Sequence, residues 1–227
     1  MNKPYIICHM MTSVDGRIDC AMTTHLPGEE YYSTLEELDV DTHLSGRVTA
    51  QMEMSLPGIF ESSSYTPLNE ETYSMVENSN GYEVIVDTKG TLLWHEANLD
   101  GKGLVILTSE KVSKEYLSYL DSLKISWIAT GKEKIDLVKA CDYLANKFNV
   151  KRMAVVGGGH INAAFLKAGL LDEVSILIGA GIDGRGNMTA VFDGLEQDQL
   201  VTQLKLMSVQ QYESDAVWLR YLVKKYI

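Results

Sequence analysis

The sequence predicts an α/β fold: a central, mostly parallel sheet with helices on both faces and a C-terminal antiparallel hairpin. Short strand-like runs recur along the chain, several of them hold continuous apolar stretches, such as VIV at 84–86 and LVIL at 104–107, and amphipathic stretches lie between them. Continuous apolar runs are how strands covered on both faces read, and alternation of strand with helix implies crossovers between parallel strands. The expected strands are 4–10, 42–46, 82–88, 103–109, 124–130, 151–157 and 172–179. A helix is expected over 28–40, opening after Pro27-Gly28 with acids in its first turn, where the helix dipole favours them. Residues 133–150 carry Ile135, Val138, Leu144 and Phe148 near helical spacing, and 161–171 stops at Gly169, a common C-terminal residue. The tail, 200–226, reads as two long strands around Glu213-Ser214-Asp215. Residues 56–81 are polar and irregular and are expected to form a long loop or lid. With no internal repeat, a single domain over 1–227 is expected.

The 227 residues are enough to bury a real core, and a formal net charge of −11 argues against a broad nucleic-acid or anionic-membrane surface. No stretch approaches a membrane-spanning length, and the N-terminus is too quickly polar for a secretory signal. Cys8, Cys20 and Cys141 form an odd, scattered trio without a CxxC pair, which fits reduced thiols in a cytoplasm. His9, His25, His43, His95 and His160 have no metal-ligand spacing, so no metal site is expected.

Two turns carry the chemistry. In VVGGGHIN, a buried strand stops at Gly157, Gly158 and Gly159, and a helix is expected to begin near His160-Ile161. Glycines there permit positive φ and close backbone approach, and the free N–H groups of the helix start suit an anion such as a pyrophosphate. A tight strand-to-helix connection without a ligand explains the same residues. The second turn is SGRVTAQ, where Gly46 gives backbone access, Arg47 a cationic fork and Thr49 a hydroxyl at a helix start. Both follow strand-like runs, at the ends where open α/β sheets bind ligands.

Taken together, MTSVDGRID (11–19), SGRVTAQ, VIVDTKG (84–90) and the long run 155–186 resemble the reductase domain of riboflavin biosynthesis, which has a dihydrofolate-reductase-like fold. The zinc-deaminase signature of the bifunctional members is absent. The resemblance implies NADPH as cofactor and hydride transfer to a small heterocycle. It implies that Thr12 sits beside the nicotinamide, that Gly46, Arg47 and Thr49 cradle phosphate, and that Glu53 contacts the cofactor. Thr88 and Lys89 would flank the adenosine phosphate, and Gly157 to Ala163, including His160, Ile161 and Asn162, would form the glycine turn and helix start. A cis peptide at Gly157-Gly158 is also implied by relatives with this fold.

On the substrate side, Val156 stands where those reductases carry glutamate, and the helix over 28–40 has no arginine to hold a ribose phosphate. LPGEEYY resembles the dihydrofolate reductase segment that supplies a buried acid, which would make Glu29 or Glu30 a proton donor; both also read as first-turn acids. Asp15 reads as a capping carboxylate near the substrate, and Asp183 and Arg185 as polar contacts of the pocket or of a plain surface turn. The nearest activity is 5-amino-6-(5-phosphoribosylamino)uracil reductase. The alternatives are a pterin-type reductase and a non-catalytic NADPH-binding regulator. A homodimer is expected, because the apolar C-terminal hairpin would otherwise leave a sheet edge bare.

Overall fold

The computed structural model describes residues 2–18, 23–25, 30–76 and 79–225. In chain order the elements are β1 (Tyr5–Thr12), α1 (Glu30–Glu37), β2 (Thr42–Gly46), α2 (Arg47–Glu53), β3 (Thr72–Ser74), β4 (Tyr82–Val86), β5 (Asn98–Leu99) and β6 (Lys102–Thr108). They continue with α3 (Lys114–Ser122), β7 (Ser126–Ala129), α4 (Leu137–Asn146), β8 (Arg152–Gly157), α5 (Gly159–Lys167), β9 (Glu173–Ile178), β10 (Leu204–Gln211) and β11 (Val217–Val223). The chain divides into two compact units, Met1–Pro4 with Asp41–Met153, and Tyr5–Val40 with Ala154–Ile227.

In the first unit β2, β4, β6 and β7 are parallel neighbours. Their apolar runs bury Ile85, Leu104, Ile106 and Trp127 against Tyr116, Leu117 and Leu120 of α3. The caps of two helices are legible in the sequence: Ser113 accepts from Tyr116 N–H at the start of α3, and Asp136 from Lys139 N–H at the start of α4. The segment expected as a long loop or lid is irregular over most of its described length, with one short strand. Residues 72–74 form β3, antiparallel to β7, and Phe60, Leu68 and Asn69 donate N–H bonds to Thr91, Val112 and Glu110 carbonyls. Backbone pairing of this kind ties the segment to the unit as an outer layer.

In the second unit β1 and β9 are parallel, β8 lies beside β1, and β11 and β10 add antiparallel strands beyond β9. Ile7, Leu38, Leu177, Ala216 and Trp218 form its core. Within it lies a buried polar chain that the sequence did not announce. Trp218 Nε1–H donates to Ser175 Oγ (2.7 Å), and Ser175 Oγ lies 2.9 Å from His9 Nδ1. Ser175 Oγ thus joins the indole to the imidazole, whose Nε2 lies 3.4 Å from both Tyr31 O and Thr34 Oγ1. His9 is thus a core histidine, stacked on Tyr31.

The hairpin forms as expected, with a bulge between Leu206 and Ser208. The bulge absorbs Met207, so Leu204, Leu206 and Val209 keep one face, paired with Val223, Tyr221 and Leu219. Without it the sequence LKLMSVQQ would turn Val209 to the other side. Every residue of β10 is exposed.

Candidate functional site

In the second unit the C-terminal ends of β1 and β9 lie together, because the strands pair in parallel from Ile7↔Glu173 to Thr12↔Ile178. The glycine turn leaves β8, which is also a neighbour of β1. Gly158 has φ +82°, and a side chain there would meet nothing closer than Ile161 Cγ1 at 3.8 Å. The glycine is needed for its backbone angle, since a Cβ there would make only an ordinary contact with Ile161. Gly159 serves a different purpose. A Cβ on it would lie 2.2 Å from Ala190 O and 2.9 Å from Thr189 Cγ2, so the chain's own 189–193 segment occupies the room.

No cis peptide occurs among the described residues, which corrects the expectation at Gly157-Gly158; the left-handed Gly158 makes the turn with trans bonds. The helix also starts earlier than expected, at Gly159. Ile161 and Asn162 N–H both return to Gly158 O, at 2.9 and 3.0 Å, leaving the earlier amides of the turn as the ones without an intrahelical partner. Asn162 is fully buried: its Nδ2 donates to Val191 O (2.7 Å), while Oδ1 is buried without a partner. Ala163 is buried, and the exposed His160 lays its ring beside Gly194. Val156 is half-buried on β8.

The segment 188–191 joins this turn to the one after β1. Met188 O accepts from Arg17 Nη1 (2.6 Å) and Thr189 O from Ile18 N–H, while Ala190 and Val191 carbonyls meet Gly159 and Asn162. Ser13 N–H donates to Arg17 O, and Arg17 N–H returns to Ser13 Oγ, closing the SVDGR turn around Gly16 at φ +81°. Asp15 is the hub of the loop contacts: it accepts from Ser13 Oγ (2.7 Å), Asp183 N–H (2.9 Å) and Gly184 N–H (3.0 Å). Those donors, the Ser13 hydroxyl first, pull its carboxyl down to about 2, so it is ionised at neutral pH. Arg185 grips Asp183 with Nε and Nη2, holding that carboxyl below its ordinary value as well. Thr12 is buried, its hydroxyl on Ser13 O and its carbonyl receiving Gly179 N–H.

Glu29 lies outside the described residues. Glu30 opens α1, and its Oε1 accepts from Ser214 Oγ (2.6 Å) in the hairpin turn; Oε2 is buried without a partner.

In the first unit, Gly46 ends β2 in extended conformation and is the N-cap of α2. Arg47 is exposed, with Nη1 on Gln51 Oε1 (2.8 Å); Thr49 is half-buried, and Glu53 is exposed in the last turn. Thr88 gives its carbonyl to Ser109 N–H and Oγ–H, and Lys89 is exposed beside it. Asp87, unremarked in the sequence, is fully buried and organises that turn.

A family model described as the RibD C-terminal domain matches residues 4–218. The chain belongs to that family. A curated relative from Methanothermobacter thermautotrophicus, named 2,5-diamino-6-ribosylamino-4(3H)-pyrimidinone 5′-phosphate reductase, is 24% identical over 213 residues, covering 92% of this chain and 93% of its own. One of the same name from Archaeoglobus fulgidus is 21% identical over 85% of this chain and 87% of its own. Among solved structures, a pyrimidine reductase-like protein from Corynebacterium diphtheriae has a TM-score of 0.74 at 15% identity, covering 98% of this chain and 93% of its own. Acinetobacter baumannii RibD gives 0.66 at 16%, covering 98% and 58%. The fold is therefore the dihydrofolate-reductase-like fold of RibD reductase domains. Among the described residues no helix is long and apolar enough to cross a membrane, and no group of three metal-ligating side chains occurs.

Sequence reasoning passed over Arg17, although it stands in a quoted motif. Its partners come from a loop some 170 residues away along the chain, and only the sequence DGR hinted at them.

Proposed function

We propose that this RibD-family chain is an NADPH-dependent reductase transferring a hydride to a small pyrimidine-type heterocycle, nearest in kind to 5-amino-6-(5-phosphoribosylamino)uracil. The observation that carries it is the family match over 4–218, with relatives named as reductases aligned over about nine-tenths of both chains. Residues 1–227 act as one reductase domain in this reading, since that match runs through both units. The amides at the start of α5 that have no intrahelical partner fit a phosphate, and the exposed Arg47 fork fits the 2′-phosphate. Thr49, Glu53, Thr88 and Lys89 complete the assigned cofactor contacts, with Thr12 beside the nicotinamide. When bound, the reduced nicotinamide supplies the hydride; the chain orients the heterocycle, excludes water and delivers a proton. Glu30, with one carboxylate oxygen held by Ser214 and the other buried, shares the proton-donor role with Glu29 as a candidate. The scattered cysteines, with Cys8 and Cys141 free and buried, suit a cytoplasmic setting.

Arg47→Ala tests the cofactor assignment. The expected result is a KM for NADPH raised roughly tenfold to a hundredfold, with NADH changed less than about twofold, because only the 2′-phosphate contact is lost. Equal losses for both cofactors would remove the contact. Absence of NADPH oxidation with every pyrimidine tried, despite binding, would leave a regulator in place of the enzyme.

We also propose a homodimer formed through the hairpin. Leu206 is 52% and Val209 58% exposed on one apolar face, and β10 is an edge strand. A bare apolar edge that can meet its own symmetry copy is the usual basis of a two-fold interface. Val209→Lys with Leu206→Glu is expected to halve the mass seen by light scattering, while a wild-type monomer would refute the proposal.

A further inference from the structure

We propose that the Arg17 guanidinium receives the phosphate monoester of the reductase's substrate, since the cofactor's 2′-phosphate is already given to Arg47. The proposal rests on the reductase reading and adds a residue to which no role has been given. Its basis is donor accounting. A guanidinium has five N–H groups, and here one hydrogen bond is made, from Nη1 to Met188 O. Nε is buried with no partner, its nearest carboxylate being Asp15 Oδ2 at 3.9 Å, and Nη2 makes no hydrogen bond among the described residues. The side chain is nevertheless 31% exposed, so part of the fork faces solvent. A buried donor without an acceptor costs stability unless a ligand or a small rearrangement completes it.

Its position is built. The backbone on either side is pinned by Ser13 N–H to Arg17 O, Arg17 N–H to Ser13 Oγ, Ile18 N–H to Thr189 O and the bridge to Ala190. The guanidinium is thus held ready at the C-terminal end of β1, where ligands of such sheets bind. Two other cations of this unit are committed elsewhere, Arg185 to Asp183 and Lys167 to Glu196. Asp15 does not consume Arg17, since its carboxylate is shared among three shorter donors. In a chain of net charge −11 whose α1 holds no basic residue, a pre-positioned arginine with donors to spare is the group to read a dianionic handle.

Thermal unfolding with inorganic phosphate against chloride at equal ionic strength gives the first test. Phosphate is expected to raise the Tm of wild type but not of Arg17→Ala or Arg17→Gln, and to raise that of Arg17→Lys partly; circular dichroism checks that each variant folds. Kinetics then separate the sources. If the substrate supplies the phosphate, Arg17→Ala raises KM for the phosphorylated substrate roughly tenfold to a hundredfold and leaves the dephosphorylated one unchanged. The same split between NADPH and NADH instead would move the 2′-phosphate from Arg47 to Arg17 and overturn the substrate assignment. An unaltered phosphate increment in Tm with no split in either pair overturns the proposal. A wild type inactive on every substrate would defeat the reductase reading instead, and the phosphate arm would still decide Arg17.

Discussion

Gly159→Ala is expected to destabilise the protein by roughly 2–4 kcal/mol, from overpacking together with the hydrogen bonds that must give way. The added methyl would sit 2.2 Å from Ala190 O, 2.9 Å from Thr189 Cγ2 and 3.2 Å from Asp193 Cβ. Two of the three are a backbone oxygen and a Cβ, which cannot swing aside like the end of a long side chain. Relief requires the 188–193 segment to lift, loosening Asn162 Nδ2 to Val191 O, Asp193 N–H to Gly159 O and the Arg17 bridge to Ala190. Gly158→Ala has room but forces alanine to φ +82°, at about 1–2 kcal/mol. Urea titration of both variants decides between the roles. An order with Gly158→Ala the more damaging would mean that the turn is limited by backbone angle and not by the packed segment.

That contrast shows where the sequence was legible. Three adjacent glycines announced a special turn, yet the reason for the third lies 30 residues downstream in a segment with no recognisable motif. The strands were legible because their apolar runs are local: 42–46 matches β2, and the others differ by a few residues at their ends. Helix α3 was legible but unread, since Ser113 is a capping residue and Tyr116, Leu117 and Leu120 follow at helical spacing. The pairing that ties residues 56–74 to the first unit runs largely through backbone amides, which leave no residue signature. On the site side, the turns proposed to hold phosphate stood out by residue type. The tie of Asp15 to Asp183 and Gly184, and the anchoring of Arg17, depend on tertiary approach and could not be read.

Asp87→Ala is expected to cost roughly 3–5 kcal/mol, the scale of stripping the partner from several buried donors at once. Its Oδ2 takes Thr91 N–H (2.6 Å), Leu92 N–H (2.9 Å) and Tyr116 Oη–H (3.3 Å), and Oδ1 takes the Thr91 hydroxyl (3.3 Å). Tyr116 keeps a second acceptor in Leu92 O, but the two amides have none to replace the carboxylate oxygen. Asp87→Asn separates charge from geometry. An amide oxygen in the Oδ2 place can still serve both backbone donors, and the Thr91 hydroxyl can turn to accept from the new NH₂, so about 1–2 kcal/mol should be lost. The turn held by Asp87 also carries Thr88 and Lys89, the residues proposed to flank the adenosine phosphate. Alanine should therefore weaken NADPH binding at temperatures where the variant is still folded, and asparagine should largely restore it. If both variants unfold alike in urea, the negative charge itself holds the turn; if both bind NADPH like wild type, Thr88 and Lys89 do not touch the cofactor.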